Sequence, residues 1–352
     1  MPAQAAKKPF LWGSRPIWKQ IATIPITPGL QAPSTKIPKN GWLAKMRYRL
    51  VGTATVTIAG TAGTPKLQNI VSNIQLSVSG NYQYRNVDLE TLILKTNLQT
   101  FGSLDPVFSG PGYQAYNPAS ATAQAFSIAL SDSIALNTEL NADEFLLAAQ
   151  ARNYDLILDV NFGASASVAG NTETAAIAGV LVVEGMYFLD PDYNEFDAPD
   201  PSTVQQLIDD KSFTNVVVGD NVIPVNPING PEYLQLCFKP VFNNVIDTPG
   251  PASALTRVRL RVNNQQDIFD IQAVDLAAEQ FEKYGRVLPF GYYVLDFLND
   301  ISLVNAMSAV RTRVLSTATL GSLELILTVA SGTVTANSMI KLVKRLRNPA
   351  VA

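Results

Sequence analysis

The sequence has no histidine among its 352 residues. Ser-His-Asp and Cys-His catalysis, and zinc or iron held by imidazole, are therefore excluded. Catalysis by carboxylates alone stays open, but no pair of Asp or Glu residues stands out from ordinary surface spacing. We expect a protein that is not an enzyme and that binds no cofactor.

Cysteine and long apolar runs are also scarce. Cys237 is the one cysteine, which excludes an intrachain disulfide and favours a small buried side chain over a reactive thiol. The longest apolar run, residues 175–189, contains Glu184 and is shorter than the roughly 20 residues of a membrane-spanning helix. The first residues lack the apolar core of a secretory signal, so we expect synthesis in the cytoplasm.

Acidic residues are missing from the first 87 residues, which contain eleven Lys or Arg, and all 29 of them lie between Asp88 and Glu324. The net charge of −3 therefore conceals basic ends around an acidic middle. This asymmetry predicts that the ends bind an anionic or carboxylate-bearing surface. The candidate interaction residues are Lys7, Lys8, Arg15, Lys19, Lys341, Lys344, Arg345 and Arg347.

A repeated segment indicates two similar domains. YDLILDVNFG at residues 154–163 is answered by LELILTVASG at residues 323–332, and IQLSV at 74–78 by VRLRV at 258–262. Apolar residues alternate with others in these segments, which is typical of strands with one buried face. The repeat is near half the chain, which is the size of a domain and too long for a solenoid unit.

A further pair of related segments, NVDLETLIL at residues 86–94 and AVDLAAEQF at 273–281, predicts one short helix in each half. The helices should cover residues 88–98 and 273–284, the second ending at Gly285. The predicted buried faces are Leu89, Leu92 and Ile93 in the first helix, and Val274, Ala277, Ala278 and Phe281 in the second.

Composition divides the chain into four parts. We predict a basic extended arm at residues 1–40, a first domain at 41–190, an acidic linker at 191–202, and a second domain at 203–352 with a basic tail. Seven prolines prevent regular helix through most of the arm. An arm outside both cores would dock on a neighbour, a membrane or nucleic acid, whereas the alternative is a strand laid against its own domain.

Three polar segments have open interpretations. The carboxylates of residues 190–200 either bind Ca²⁺ or form a solvated linker, although the spacing is not that of an EF-hand. Arg257, Arg259 and Arg261 share one strand face, where they read phosphates or simply carry exterior charge. Residues 102–123 are too rich in Gly, Pro and Ser for a regular element and predict a projecting loop.

Each half thus has many short strands, one short helix and long loops. This pattern predicts an all-β protein of two tandem β-sandwiches of jelly-roll size, with a short helix in each. The arrangement resembles the double jelly-roll major capsid proteins of tailless icosahedral bacteriophages, the tectivirus-like and corticovirus-like groups. The paired strand and helix segments carry the resemblance, which covers nearly all of residues 40–350 without a family signature motif.

The resemblance implies a structural protein of an icosahedral virion, with a homotrimer forming a pseudo-hexagonal capsomer. The basic ends would then contact neighbouring capsomers, other virion proteins, an internal membrane or the genome. Such a protein is assembled in the host cytoplasm and resides in the virion capsid.

Two other classes stay open. A viral spike or carbohydrate-binding β-sandwich module would bind its target as a free oligomer, whereas a capsid protein assembles into shells. A carboxylate-dependent glycoside hydrolase is the other. Against the hydrolase, Trp12, Trp18 and Trp42 all lie near the arm, and none is placed to form a sugar-stacking platform.

Overall fold

The structure is a computed structural model. It describes residues 7–8, 10–58, 61–62, 66–78, 82–99, 122–134, 147–148, 155–169, 175–197, 204–209, 213–228, 230–285, 287–297, 315–330, 334 and 337–348. Nearly all of the predicted projecting loop, residues 102–123, lies outside the described residues. No helix in the described ranges is long and apolar enough to cross a membrane.

The chain forms two compact units, which consist mainly of Met1–Thr96 with Leu104–Gln205 and of Gln206–Pro349. The strands of the first unit are β1 (Pro16–Pro25), β2 (Thr35–Lys36), β3 (Trp42–Ile58), β4 (Thr61–Ala62), β5 (Val71–Val78), β6 (Tyr82–Val87), β7 (Gln124–Ser133), β8 (Leu147–Ala148), β9 (Leu156–Phe162) and β10 (Ala175–Phe188).

The second unit repeats this number of strands. They are β11 (Val204–Asp209), β12 (Gly219–Pro224), β13 (Glu232–Phe242), β14 (Val245–Ile246), β15 (Leu255–Val262), β16 (Gln266–Gln272), β17 (Tyr293–Asp296), β18 (Leu315–Ser316), β19 (Leu323–Val329) and β20 (Met339–Asn348). The α-helices are α1 (Phe10–Gly13), α2 (Leu89–Gln99), α3 (Ser165–Ala169) and α4 (Ala273–Tyr284).

Each unit is a sandwich of two sheets with the same strand order. In the first unit one sheet runs β1-β10-β3-β7 and the other β2-β9-β5-β6. In the second unit one sheet runs β11-β20-β13-β17 and the other β12-β19-β15-β16. If the short strands β4, β8, β14 and β18 are set aside, both units read 1-8-3-6 and 2-7-4-5 in chain order. This is a jelly roll, so the predicted double jelly-roll fold is confirmed.

The repeated segments occupy the same place in both units. Leu156, Leu158 and Val160 of β9 are buried, and Asp159 between them is not. In β19, the side chains of Leu323, Leu325, Leu327 and Val329 belong to the core of the second unit. Each strand lies second in its sheet, between two neighbours, which explains why its core-facing side is apolar along its whole length.

The first jelly roll begins earlier than the predicted boundary at residue 40. Residues 16–25 form β1, which pairs antiparallel with β10, and residues 35–36 form β2, which pairs with β9. The alternative of a strand laid against its own domain therefore holds for this part of the arm. Edge strands bury little and tolerate proline at their ends, as Pro16 and Pro25 do in β1, so their sequence resembles that of an extended arm.

Both predicted helices are present, but the predicted buried face of α4 is wrong. Its buried residues are Ala273, Leu276, Gln280 and Tyr284. The long polar side chains reach acceptors inside the unit: Gln280 Nε2 donates to the Val294 carbonyl at 3.1 Å. Val274 and Phe281 are 43% and 55% exposed. Periodicity of apolar residues alone therefore assigned the wrong side of the helix.

Helices α2 and α4 are each bound to a later strand of the same unit by an ion pair between a lysine and an aspartate. In the first unit Lys95 of α2 and Arg85 of β6 both bind Asp132 of β7, and all three side chains are at most 3% exposed. In the second unit Lys283 of α4 binds Asp296 of β17 at 3.0 Å. We call these two pairs the helix locks.

Candidate assembly surfaces

The amino-terminal segment is anchored by an aromatic side chain. Phe10 of α1 is fully buried, and its ring centroid lies 6.0 Å from that of Trp42 and 6.2 Å from that of Phe188. Burying a phenylalanine stabilises a contact by about 2 kcal/mol. Residues 10–19 therefore do not form an arm outside the core, since Phe10 and the first part of β1 belong to the first unit.

Two of the basic candidates are bound to the acidic linker of their own chain. Lys8 Nζ lies 3.7 Å from Glu195, and Lys7 Nζ donates to the Tyr193 carbonyl at 2.7 Å. The backbones of Lys8 and the linker also exchange hydrogen bonds of 2.9 Å. The linker is thus a dock for the amino terminus, and no cluster of three or more metal-ligating side chains occurs in the described part of the chain.

The predicted basic tail is the last strand of the second jelly roll. Lys344 and Arg345 in β20 are only 3% and 5% exposed. Lys344 Nζ donates to the Asn226 carbonyl, and Arg345 donates to Gln235 Oε1 at 3.0 Å. These two cations are therefore part of the fold, since neutral acceptors of their own unit bind them. Arg347 also lies in β20, but its side chain lies outside the described residues.

The three further candidates are exposed or half-buried. Arg15 and Lys19 are exposed, and so is Trp12, at 77%. Lys341 is half-buried, with its Nζ 6.0 Å from the centroid of the Tyr292 ring. The structure thus separates Lys344 and Arg345, which are buried, from the other described candidates, which are exposed or half-buried, a distinction that charge counting cannot make.

The three arginines of β15 are matched by carboxylates. Arg257 forms two hydrogen bonds to Asp270, of 2.6 and 2.5 Å, and Arg261 forms two to Asp267, of 2.7 and 3.3 Å. Arg259 binds Asp220 of β12. The hydrogen bond from Arg257 raises the pKa of that guanidinium and lowers the pKa of Asp270. This surface neutralises itself, which favours exterior charge over phosphate recognition.

A second charged surface has no such balance. Along β3, Lys45, Arg47 and Arg49 alternate with core residues, and Glu184 is the one carboxylate opposite them on β10. Arg47 stacks 4.2 Å above the ring of Trp18. Burial lowers the pKa of Lys45, and the nearby charge of Arg47 lowers it further. The basic sheet surface, as we name it, consists of Trp18, Lys45, Arg47, Arg49 and Val51.

The exposed side of α4 has the opposite character. Val274, Ala278 and Phe281 lie one helical turn apart in an apolar stripe, and three acids form the adjacent stripe. The acidic helix surface, as we name it, consists of Val274, Asp275, Ala278, Glu279, Phe281 and Glu282. Sequence analysis assigned this stripe to the core because apolar residues at helical spacing are usually buried.

A cavity of about 260 Å³ lies between the β13–β14 turn and residues 247–254. Its carboxylate, Asp247, accepts hydrogen bonds from Ser253 Oγ at 2.5 Å and from the Ala254 N–H at 2.8 Å. These bonds hold residues 247–254 in a closed loop and occupy the Asp247 carboxylate, which is therefore not placed to act as a nucleophile or a general base. We assign the cavity no catalytic role.

Solved structures share this fold over nearly the whole chain. The STIV major capsid protein, from Sulfolobus Turreted Icosahedral Virus, matches at 16% identity and TM-score 0.68, over 95% of this chain and 97% of that one. The major capsid protein of bacteriophage PM2 matches at 14% identity and TM-score 0.55, over 96% and 98%. The PBCV-1 virus capsid matches at 13% identity and TM-score 0.63, over 94% and 93%.

By contrast, no protein-family model and no curated protein matches this chain by sequence. At such low identity the solved structures establish the fold alone. The chain has the double jelly-roll fold, and the solved structures named here that share it are viral capsid proteins.

Proposed function

We propose that this chain is a major capsid protein, a structural component of an icosahedral virion. The observation that carries the proposal is the jelly-roll strand order, which occurs in both units. Viral capsid proteins share this double fold over nearly the whole chain. The role is geometric, since the described residues form paired strands and present no catalytic constellation.

The capsomer we infer is a homotrimer. Three copies of a chain with two alike sandwiches place six similar sandwiches around one axis, which approximates a hexagon and fits a hexagonal lattice. The proposed location is the capsid of a bacteriophage virion assembled in the host cytoplasm, with contacts to neighbouring capsomers and other virion proteins. The likeness to the bacteriophage PM2 protein supports the choice of host class.

The accessible part of the amino terminus supports a contact with an anionic partner. Trp12, Arg15 and Lys19 combine an exposed aromatic ring with two cations, a composition suited to a lipid surface or to a genome. Replacing Arg15 and Lys19 by Glu should weaken binding to anionic vesicles or nucleic acid, and increasingly so as salt falls. Equal binding by the variant at all ionic strengths would remove this contact from the proposal.

Electron microscopy of the purified protein tests the function directly. A capsid protein should form three-chain particles by mass measurement and, at high concentration, sheets or shells with hexagonal packing. A stable monomer that never associates would exclude the proposed role. A free oligomer that binds glycans without forming shells would favour the spike or carbohydrate-binding class.

A further inference from the structure

We propose that the acidic helix surface of one copy binds the basic sheet surface of a second copy. The proposal rests on the function proposed above and names the surfaces that hold the capsomer together. Both surfaces are uncovered within a single chain: Phe281 is 55% exposed, Val274 43%, Trp18 41% and Val51 38%.

The two surfaces are complementary in charge. In the described part of the chain, no basic group lies within ion-pair distance of Asp275, Glu279 or Glu282, and no carboxylate within that distance of Lys45 or Arg49. Other surface charges show that this fold ordinarily pairs its ions, since every arginine of β15 has its own aspartate. Unbalanced charge of opposite sign on two exposed surfaces is the arrangement that steers association.

They are complementary in apolar character as well. The acidic helix surface has Phe281 and Val274 beside its acids, and the basic sheet surface has Trp18 and Val51 beside its cations. Interfaces commonly combine aromatic and arginine residues at their centre with charged residues around them. Arg47 already lies over the Trp18 ring and is paired with Glu184, so little conformational freedom is lost when a partner covers that pair.

The symmetry of such a contact follows from the charges. A twofold dimer that placed the acidic helix surface against itself would bring like charges together, so the contact must join two different surfaces. Unless two copies exchange this contact reciprocally as a twofold pair, it repeats from copy to copy and closes into a ring when the rotation permits. Closure after three copies gives the trimer of the proposed capsomer.

Charge reversal tests this pairing. The variant Glu279→Lys, Glu282→Lys should raise the dissociation constant of the oligomer about 100-fold, because like charges then face each other. Asp275 is kept, since it lies in the first turn of α4 and stabilises the helix amino terminus. The control Thr214→Lys, Thr248→Lys, Gln265→Lys, Thr319→Lys makes the same change in net charge at exposed positions of the second unit and should leave the mass of the oligomer unchanged.

The complementary variant Lys45→Glu, Arg49→Glu should dissociate the oligomer in the same way. A chain that combines all four substitutions at positions 45, 49, 279 and 282 returns to the wild-type net charge and should associate again. Mass measurement across a concentration series gives the result, and thermal unfolding of each variant verifies that the jelly rolls are intact.

The outcomes are distinct. An unchanged oligomer in the helix variant, or no recovery in the combined chain, overturns the pairing while wild-type trimers and shells still support the capsid role. Wild-type protein that stays monomeric at every concentration overturns the capsid role and the pairing together.

Discussion

The helix locks of the two jelly rolls perform the same task in different surroundings. In the first unit the lysine and the aspartate are entirely buried, and a second cation, Arg85, joins them. In the second unit the lock is nearer to solvent, with Lys283 16% and Asp296 9% exposed, and Tyr284 and Gln235 donate to the same carboxylate. Both units thus bind the helix to a strand by a lysine–aspartate pair, while the additional partners of the aspartate differ with burial.

The fourth strand of each unit, counted without the short strands, also differs in the residues that alternate with its core residues. The equivalent residues of β5 and β15 are Asn73 and Arg257, Gln75 and Arg259, and Ser77 and Arg261. A bulge interrupts the pairing with the next strand at the same point in both units, between Leu76 and Ser77 and between Leu260 and Arg261. Backbone geometry is therefore shared even where side-chain chemistry is not.

The largest expected effect comes from breaking the buried lock. Asp132→Ala removes the buried carboxylate that Arg85 and Lys95 both bind, which should cost about 3–5 kcal/mol of unfolding free energy. Asp296→Ala should cost about 1–3 kcal/mol, because its partners lie nearer to water. Urea unfolding followed by tryptophan fluorescence measures the first variant, since Trp12, Trp18 and Trp42 all lie in the first unit. Equal losses in the two variants would show that burial does not set the difference.

Acid should act on the same lock. Burial raises the pKa of Asp132, but the charges of Arg85 and Lys95 outweigh it and hold that pKa at about 2. A pKa below its value in the unfolded chain, about 3.9, means that the stabilisation is fully present above pH 4 and is lost as pH falls toward 2. The loss should amount to about 2 kcal/mol in wild-type protein. Asp132→Asn should lack this part of the pH dependence, and an unchanged profile would contradict the assignment.

A smaller effect is expected at the end of α4. Gly285 has φ of 66°, and its N–H caps the helix by donating to the Phe281 carbonyl at 2.8 Å. Gly285→Ala should cost about 1 kcal/mol through backbone strain alone, because no atom within 4 Å would meet the added methyl group. Thr319→Ala, at an exposed turn position, serves as a control for the substitution itself. No loss of stability would show that the turn relaxes without strain.

The smallest effect should come from copying Asn73, Gln75 and Ser77 of β5 onto the equivalent positions of β15. The change Arg257→Asn, Arg259→Gln, Arg261→Ser leaves Asp220, Asp267 and Asp270 without their cations. Stability should fall at low salt through carboxylate repulsion and recover as salt is added, because these groups are exposed. Thermal unfolding across a salt series measures this. A loss that salt does not reverse would mean that the arginines act through packing.

Much of the fold follows from local pattern. Alternating residues in 154–163 and 323–332 indicated buried strands, and the related helical segments placed α2 and α4, because strand and helix periods are properties of neighbouring residues. Gly285 ended α4 as predicted, since its αL conformation is local too. The double jelly roll then followed from finding these elements twice in the same order.

Other features were decided by tertiary structure. β1 reads as an extended arm because an edge strand buries few residues, and its pairing with β10 spans more than 150 residues of sequence. Lys344 and Arg345 were predicted to form a basic tail because a sequence shows charges but not contacts. Their acceptors, Asn226 and Gln235, lie over 100 residues away in the sequence.

The same division explains the surfaces. The sequence determined that the ends are basic, the middle is acidic and the two halves are alike, since composition and period need no partner. Only the fold decided which charges neutralise one another, because ion pairs form between strands that the chain brings together across long separations. The arginines of β15 found aspartates within their sheet, while the acids of α4 and Arg49 of β3 were left exposed.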